Sequence, residues 1–246
     1  MLHNPKQPSI GHSLIILPTV DSSNNYAMQQ IHDVKAAHGM AYLALEQTHG
    51  KGQRNKQWHT SQGLNIALSV VLEPQYILGV HQHFLLTAYA ATAVHQLMHS
   101  LGIVCTIKWP NDIYIADNKA AGILIESKIQ GHTWRYAVLG IGINVNEQDY
   151  SYMPFAATSL SIATGKQWDM VTLTRTLLNI LSTGWHSFNA AAIISYYNAH
   201  LYQKNKPITL LNNGATLHTV LNSVNDAGAL VCKDALYNYA AVEWVK

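Results

Sequence analysis

The stretch that decides how this chain folds is Lys108-Trp109-Pro110-Asn111-Asp112-Ile113-Tyr114-Ile115, continuing through Ala116-Asp117-Asn118 into Lys119-Ala120-Ala121-Gly122-Ile123-Leu124-Ile125-Glu126. A strand-like run over residues 104–108 stops at Pro110, because proline donates no ladder hydrogen bond and is tolerated only at a strand end or edge. Ile113-Tyr114-Ile115 resumes an extended pattern, Asp117-Asn118 supplies the turn of a hairpin, and the returning strand opens with Lys119. Two lysines, an Asn-Asp pair and a glycine therefore gather around one hairpin. Further on, Val138-Leu139-Gly140-Ile141-Gly142-Ile143-Asn144-Val145-Asn146 reads as a strand with two positions lacking side chains. Glycine weakens a strand and is used where a ligand or another backbone comes close. Local pattern alone is equally satisfied by a Gly-bearing core strand beside a surface hairpin.

Upstream of the hairpin, residues 1–12 carry Pro5, Pro8 and Gly11 and read as a loose arm, and residues 14–17 as a short strand ending at Pro18. Ser22 or Ser23 can cap the next helix, since a hydroxyl there satisfies an orphan backbone N–H. That helix carries Tyr26, Ala27, Gln30, Ile31 and Val34, closes at His38-Gly39, and is followed by a strand over 40–46. Residues 47–63 have neither helical nor strand period and contain Gly50, Gly52 and Gly63 with Lys51, Arg54 and Lys56; loops this long are usually functional or disordered. A strand follows over 64–72, with polar interruptions at Asn65 and Ser69. Residues 83–101 show a helical period ended by Gly102. The i, i+4 pair His95 and His99 has no third ligand or intervening Glu, so these read as helix-surface histidines, as do His81 and His83.

Downstream, Gly131 turns the chain into a strand over 134–146, and residues 150–165 look irregular. Two helices follow, 169–188 capped by Asp169 and 190–201. From Lys204 the composition becomes β-branched and turn-rich, punctuated at Asn212-Asn213-Gly214, Asn225-Asp226-Ala227-Gly228 and Tyr237-Asn238, which predicts four or five short strands. The division falls into residues 1–203 and a smaller unit, 204–246.

Bulk properties narrow the function. The 246 residues suffice for one or two domains with a real core. Only 11% are charged and the formal charge is +2, too slight for a nucleic-acid or membrane face. Cys105 and Cys232 match no metal spacing and read as reduced core residues of a cytosolic protein. Residues 13–17 are too short for a signal sequence, and nothing reaches the ~18 apolar residues of a membrane span. The expectation is a soluble, cytoplasmic protein.

Taken together, Lys108–Asp112, Lys119–Glu126 and Gly140–Asn146, with Asp21-Ser22-Ser23-Asn24 and Glu46-Gln47-Thr48-His49-Gly50-Lys51-Gly52-Gln53-Arg54-Asn55-Lys56-Gln57-Trp58 upstream, resemble the catalytic domain of biotin–protein ligases. Five motifs in the family's order, spread over residues 21–146, carry this. The resemblance implies an α+β fold of the biotin/lipoate ligase, class II synthetase-like type, with a mixed, largely antiparallel central sheet flanked by helices and a C-terminal SH3-like β-barrel. It also implies ATP, biotin and Mg²⁺ as substrates and cofactor, and a biotin carboxyl carrier protein as acceptor. In the implied reaction the biotin carboxylate attacks the α-phosphate of ATP, giving biotinyl-5′-AMP and pyrophosphate, and an acceptor lysine then displaces AMP.

By the same resemblance, Lys119 contacts carboxylate and phosphate, Lys108 contacts phosphate, and Asp112 orients a lysine or holds Mg²⁺ through water. The biotin pocket draws on Ser22, Ser23, Asn24, Gln47, Gly50, Lys51, Gly52, Gln53, Lys119, Gly122 and Gly140. ATP falls to Lys51, Arg54, Lys56, Trp58, Asn111 and Asn144, with Trp58 over adenine and the asparagines otherwise satisfying local backbone. The loop departs from the family's Gly-Arg-Gly-Arg-Arg-Gly: Lys51 and Gln53 stand where arginines are common and Asn55 where glycine is, and Gln53 offers phosphate no charge. The catalytic region begins by about residue 14 and no basic recognition helix is visible, which speaks against DNA binding. Lipoate–protein ligase and a catalytically weak biotin- or carrier-binding protein are the rival readings; an exposed sheet edge suits a homodimer or the carrier.

Overall fold

The structure is a computed structural model describing residues 7–59, 61–212, 214–238 and 241–245. Most of the expected N-terminal arm, and Asn213 of the expected 212–214 turn, lie outside the described residues. Seven strands, β1 (Ser13–Leu17), β2 (Met40–Ala44), β3 (Asn65–Leu72), β4 (Thr106–Lys108), β5 (Asp112–Ile115), β6 (Asn118–Gln130) and β7 (Thr133–Asn144), form one sheet in the order β1-β2-β3-β7-β6-β5-β4. Only the β1–β2 pair is parallel.

Strand alternation gives the sheet two unlike faces. Leu43, Leu68, Val70, Leu139, Ile141 and Ile143 point into the main core with α2 (His83–Ser100), whose sides are nearly all buried against the sheet and against α4 (Met170–His186) and α5 (Ala190–Ala199). On the opposite face Tyr42, Val71 and Val138 meet Ala27 and Ile31 of α1 (Ser23–His32) in a small second cluster. Beyond that cluster the same face carries Ala67 and Ser69 on β3, Gly140 and Gly142 on β7, and Gly122 on β6, brought side by side by the register. Large residues on one face and small ones on the other are what the alternation Leu139-Gly140-Ile141-Gly142-Ile143 encodes. The result is a cleft floor backed by a full core.

The C-terminal strands β8 (Pro207–Asn212), β9 (Ala215–Val224), β10 (Leu230–Cys232), β11 (Leu236–Tyr237) and β12 (Val242–Val245) make an antiparallel sheet ordered β11-β10-β9-β8-β12. Its Leu210, Leu221, Leu230 and Val242 belong to the same buried cluster as α2 and β7. The Trp109 indole N–H donates to the Gly228 carbonyl at 2.9 Å, so the turn after β4 is tied to this sheet. Among the described residues, no helix is long and apolar enough to cross a membrane.

Several expectations need correction. The first helix stops at His32, not His38-Gly39: Val34 turns left-handed (φ 58°), and Lys35 N–H and Val34 N–H bond back to Gln30 and Ile31 in a Schellman closure. Ser22 occupies the N-cap position but its side chain makes no cap bond, and the Ser23 hydroxyl is drawn instead to Gln47. His95 is not on the surface; it is 1% exposed, its ring nitrogens engaged with the Tyr196 hydroxyl (3.0 Å) and the Cys105 carbonyl (3.1 Å). The irregular 150–165 segment contains a short helix, α3 (Leu160–Thr164), capped by Ser159, whose Oγ accepts from Ile162 N–H at 3.2 Å.

Candidate functional site

The cleft floor is hydrogen-bonded within the protein. At the start of α1 the Ser23 N–H and hydroxyl both donate to Gln47 Oε1, at 2.8 and 3.1 Å. Ser69, with no exposure, sits 2.8 Å from Ser23 Oγ and 2.6 Å from Asn24 Oδ1. Asn24 Nδ2 donates to Glu126 Oε2 at 2.8 Å, and Lys51 Nζ donates to Glu126 Oε1 at 3.1 Å. This arrangement requires Gly140: a Cβ there would lie 2.5 Å from Asn24 Oδ1. Above this floor is a cleft of about 450 Å³ lined by Ser22, Ser23, Asn24, Gln47, Lys51 and Gly52, together with Gln53, Lys119, Gly122 and Gly140 of the expected biotin residues and Trp58 and Asn111 of the expected nucleotide residues.

Lys119 stands at the edge of that cleft because of an irregularity in the hairpin. The β5–β6 register slips so that Tyr114 pairs Lys119 while Ile113 pairs Ala121, leaving Ala120 as an extra residue. Plain alternation would place residues 119 and 122 on opposite faces; the bulge re-aims Lys119 onto the Gly122 side. The ammonium then reaches Asp112 Oδ1 at 2.7 Å, both side chains being under a fifth exposed. A Cβ at Gly122 would stand 3.3 Å from the Lys119 Cε and Nζ and from Asp112 Oδ1, so the glycine leaves the passage open. The Lys119 backbone is clamped from the far side, its N–H donating to Ala156 O and its carbonyl accepting from Thr158 N–H, both at 3.0 Å.

A second cavity of about 810 Å³ adjoins the first and shares Gly52, Gln53, Trp58, Asn111 and Lys119 with it. Its remaining walls include Arg54, Lys56, Lys108, Asp112, Met153, Phe155, Glu243 and Trp244. Lys108 Nζ lies over the rings of Tyr114 (5.2 Å) and Trp244 (5.5 Å), and Lys119 Nζ over Trp58 (5.9 Å) and Phe155 (5.7 Å). Both hairpin lysines thus border one space. Asn111 lies between the cavities with its Nδ2 donating to the Ile123 carbonyl at 2.8 Å.

The glycine-rich loop is a small hairpin: Trp58 N–H donates to Gly50 O (2.9 Å), Gly52 N–H to Lys56 O (2.7 Å), and Lys51 bridges Gln57. Gly50 cannot carry a side chain, since a Cβ would meet Trp58 O at 2.2 Å. Arg54 donates to Val242 O at 3.1 Å, and Glu243 pairs with Arg54 at 3.7 Å and Lys56 at 3.8 Å. The Trp58 ring fills the space beside Gly142, where a Cβ would lie 2.3 Å from Trp58 Cε2.

Two expected residues do not line the paired cavities. Gly50 borders a separate polar recess with Gln47, His49, Gln57 and His59. Asn144 directs its Nδ2 to the carbonyls of Thr158 (3.0 Å) and Lys119 (3.3 Å), tying the segment after β7 to β6. Conversely, Ser69, Gly142, Glu126, Phe155, Glu243 and Trp244 belong to the candidate site although the sequence reading gives them no role there. Ser69 and Gly142 gave a signal, a polar residue and a second glycine facing one way along apolar strands. Phe155, Glu243 and Trp244 arrive by tertiary packing and gave none. No group of three or more metal-ligating side chains exists among the described residues.

Comparison with known proteins bears on this geometry. A bifunctional ligase/repressor BirA of Bacillus spizizenii is 36% identical over 168 residues, 67% of this chain and 51% of its own length. A biotin–[acetyl-CoA-carboxylase] ligase of Paracoccus denitrificans is 29% identical over 236 residues, 89% of this chain and 93% of its own. The chain spans about half the length of the first curated relatives it matches. A solved biotin protein ligase from Aquifex aeolicus in complex with biotin and ATP shares the fold, with a TM-score of 0.76 at 22% identity over 95% of each chain. Residues 16–144, just over half of the chain and the span of all seven strands of the large sheet except the start of β1, match the Biotin/lipoate A/B protein ligase family, and the chain belongs to that family.

Proposed function

We propose that this protein is a biotin–protein ligase, forming biotinyl-5′-AMP from biotin and ATP and passing biotin to a lysine of a carboxyl carrier protein. The observation that carries the reading is two adjoining cavities with Lys119 at their junction and Lys108 on the wall of the larger one. The smaller cavity has a floor of hydroxyl and amide groups suited to a ureido ring, which presents two N–H donors and a carbonyl. A dithiolane ring has neither, so the floor favours biotin over lipoate. The larger cavity, with Arg54, Lys56 and Lys108 on its walls and Trp58, Phe155 and Trp244 among them, suits a triphosphate and a base.

The chemistry follows from charge. Biotin's carboxylate and the α-phosphate repel one another, and a water-filled site leaves that repulsion in place. Lys119, held by Asp112, offers a fixed ammonium between them; a carboxylate oxygen attacks phosphorus, and the bond to pyrophosphate breaks. In the second half an uncharged acceptor lysine amine attacks the mixed anhydride carbonyl and AMP leaves. Loop 50–58 shields the anhydride from water; unchanged cleavage at Arg54 or Lys56 on adding biotin and ATP would count against that role.

Mg²⁺ fits as an ion carried by the triphosphate. The cavity carboxylates Asp112 and Glu243 each already face a cation, so Asp112 would hold the metal through water, where it supplies charge neutralisation. The carrier is a protein domain with an exposed lysine, the setting is the cytoplasm, and residues 204–246 act as a cap that completes the nucleotide wall. DNA repression is outside this reading, since no α-helix among the described residues carries more than one Lys or Arg. The decisive experiment is pyrophosphate exchange into ATP with biotin and lipoate supplied separately. Exchange with biotin alone is expected; exchange with lipoate alone, or with neither, overturns the proposal.

A further inference from the structure

Glu126 has no part in the scheme so far, yet its carboxylate joins the two halves of the site. It projects from β6 on the cleft face, with one oxygen 2.8 Å from Asn24 Nδ2 and the other 3.1 Å from Lys51 Nζ. Asn24 spans β7 over Gly140, and its other end receives Ser69 on β3. A chain of hydrogen bonds therefore runs from Gln47 through Ser23, Ser69, Asn24 and Glu126 to the loop cation Lys51.

An ionised carboxylate only accepts, and this fixes the direction of the Asn24 and Ser69 bonds that lead to it. Asn24 must turn its NH₂ toward Glu126 and its oxygen toward Ser69. The single Ser69 proton then points at Asn24 Oδ1, and the Ser23 hydroxyl gives its own proton to Gln47 Oε1 at 3.1 Å. The Ser23 proton is thus engaged within the protein, and Ser23 meets the cleft as an acceptor. An acceptor at the floor selects a ligand N–H.

We propose that Glu126 is a positioning residue for this site. Through Asn24 it sets the direction of the floor's hydrogen bonds so that Ser23 accepts from a ureido N–H, and through Lys51 it holds loop 50–58 against the floor. The ligand half of this inference rests on the biotin reading; the loop half does not.

Glu126→Gln keeps the shape and removes the charge. Its amide competes as a donor, so Asn24 is no longer held in one orientation. The expected result is a rise of about tenfold in the KM for biotin, from one misdirected charged hydrogen bond, with smaller changes in the KM for ATP and in kcat. In the substrate-free protein, tryptic cleavage at Arg54 and Lys56 should quicken roughly two- to fivefold, as for loss of one half-exposed ion pair. Lys51→Met should quicken it equally, and the double variant no further. A biotin KM within twofold of wild type, an equal rise in both KM values, or additive cleavage effects would each overturn the proposal. If the wild type shows no biotin-dependent exchange, the ligase reading falls while the cleavage series still decides the Lys51 link.

Discussion

Gly142→Ala tests the cleft most directly. Its backbone angles are ones alanine adopts, and the strand is held on both sides by Ala67 and Gly122. The new Cβ would nonetheless stand 2.3 Å from Trp58 Cε2, where ordinary contact begins at 3.4 Å, so the two must part by 1.1 Å. A strand locked in the middle of a seven-stranded sheet does not yield, and the indole must. Trp58 walls both cavities and lies under the Lys119 ammonium, so its retreat disturbs both subsites. The free protein escapes most of the overpacking strain by letting the indole retreat, and the strain of about 1–3 kcal/mol returns only when bound substrate requires Trp58 back in place. At ~1.4 kcal/mol per factor of ten, kcat/KM in biotin-dependent pyrophosphate exchange should fall roughly 5- to 150-fold, with thermal unfolding little altered. In a Trp58→Ala background the same substitution should cost less than about twofold, because the clash partner is gone. A wild-type kcat/KM for Gly142→Ala, or an equal penalty in both backgrounds, would refute the reasoning.

Lys119→Ala should lower exchange by ~10²–10³, the typical loss for a preorganised charge stabiliser, and Asp112→Asn added to it should recover stability by relieving an unpaired carboxylate under a fifth exposed; exchange within tenfold of wild type would contradict this. Val34 is 91% exposed in a left-handed conformation that a β-branched residue resists, so Val34→Gly should raise unfolding free energy by about 1 kcal/mol in urea titration. Acid stability should fail early. Burial, then His12 and His186, hold His38 at about 4, and burial, then His200, hold His95 at about 4. Both are neutral when folded but bind a proton near 6.5 once unfolded, so their stabilisation is complete above about 6.5 and is lost as pH falls toward 4, by up to ~3 kcal/mol each. A flat denaturation midpoint between pH 7 and 4.5 would exclude it.

The fold was largely legible because its signals are local. Pro110 and Asp117-Asn118 set the hairpin, Gly131 the next turn, and Asp169 the start of α4, where its Oδ1 accepts from Thr172 N–H at 2.7 Å. The end of the helix after Ser22 is hidden in the sequence, because Gly39 has the chemistry of a terminator whereas Val34, a residue that resists the left-handed region, closes the helix. The site was legible where motif residues face it directly, as with Lys119, Ser23 and Gly140. It was opaque where sequence-distant parts meet: Glu243 and Trp244 reach the same cavity as Lys108 only because the second sheet packs against the hairpin. Asn24 stood in the motif, but its occupation by Ser69 and Glu126 depends on register between three strands.

The bond from the Trp109 indole to Gly228 has an engineering consequence. Residues 204–246 are not an appendage that can be trimmed to obtain a smaller stable protein. Deleting them would strand a buried indole donor at the tip of the lysine-bearing turn and lay bare the core beneath Leu221 and Leu230. Chimaeras between relatives should therefore exchange the turn and the terminal sheet as one cassette.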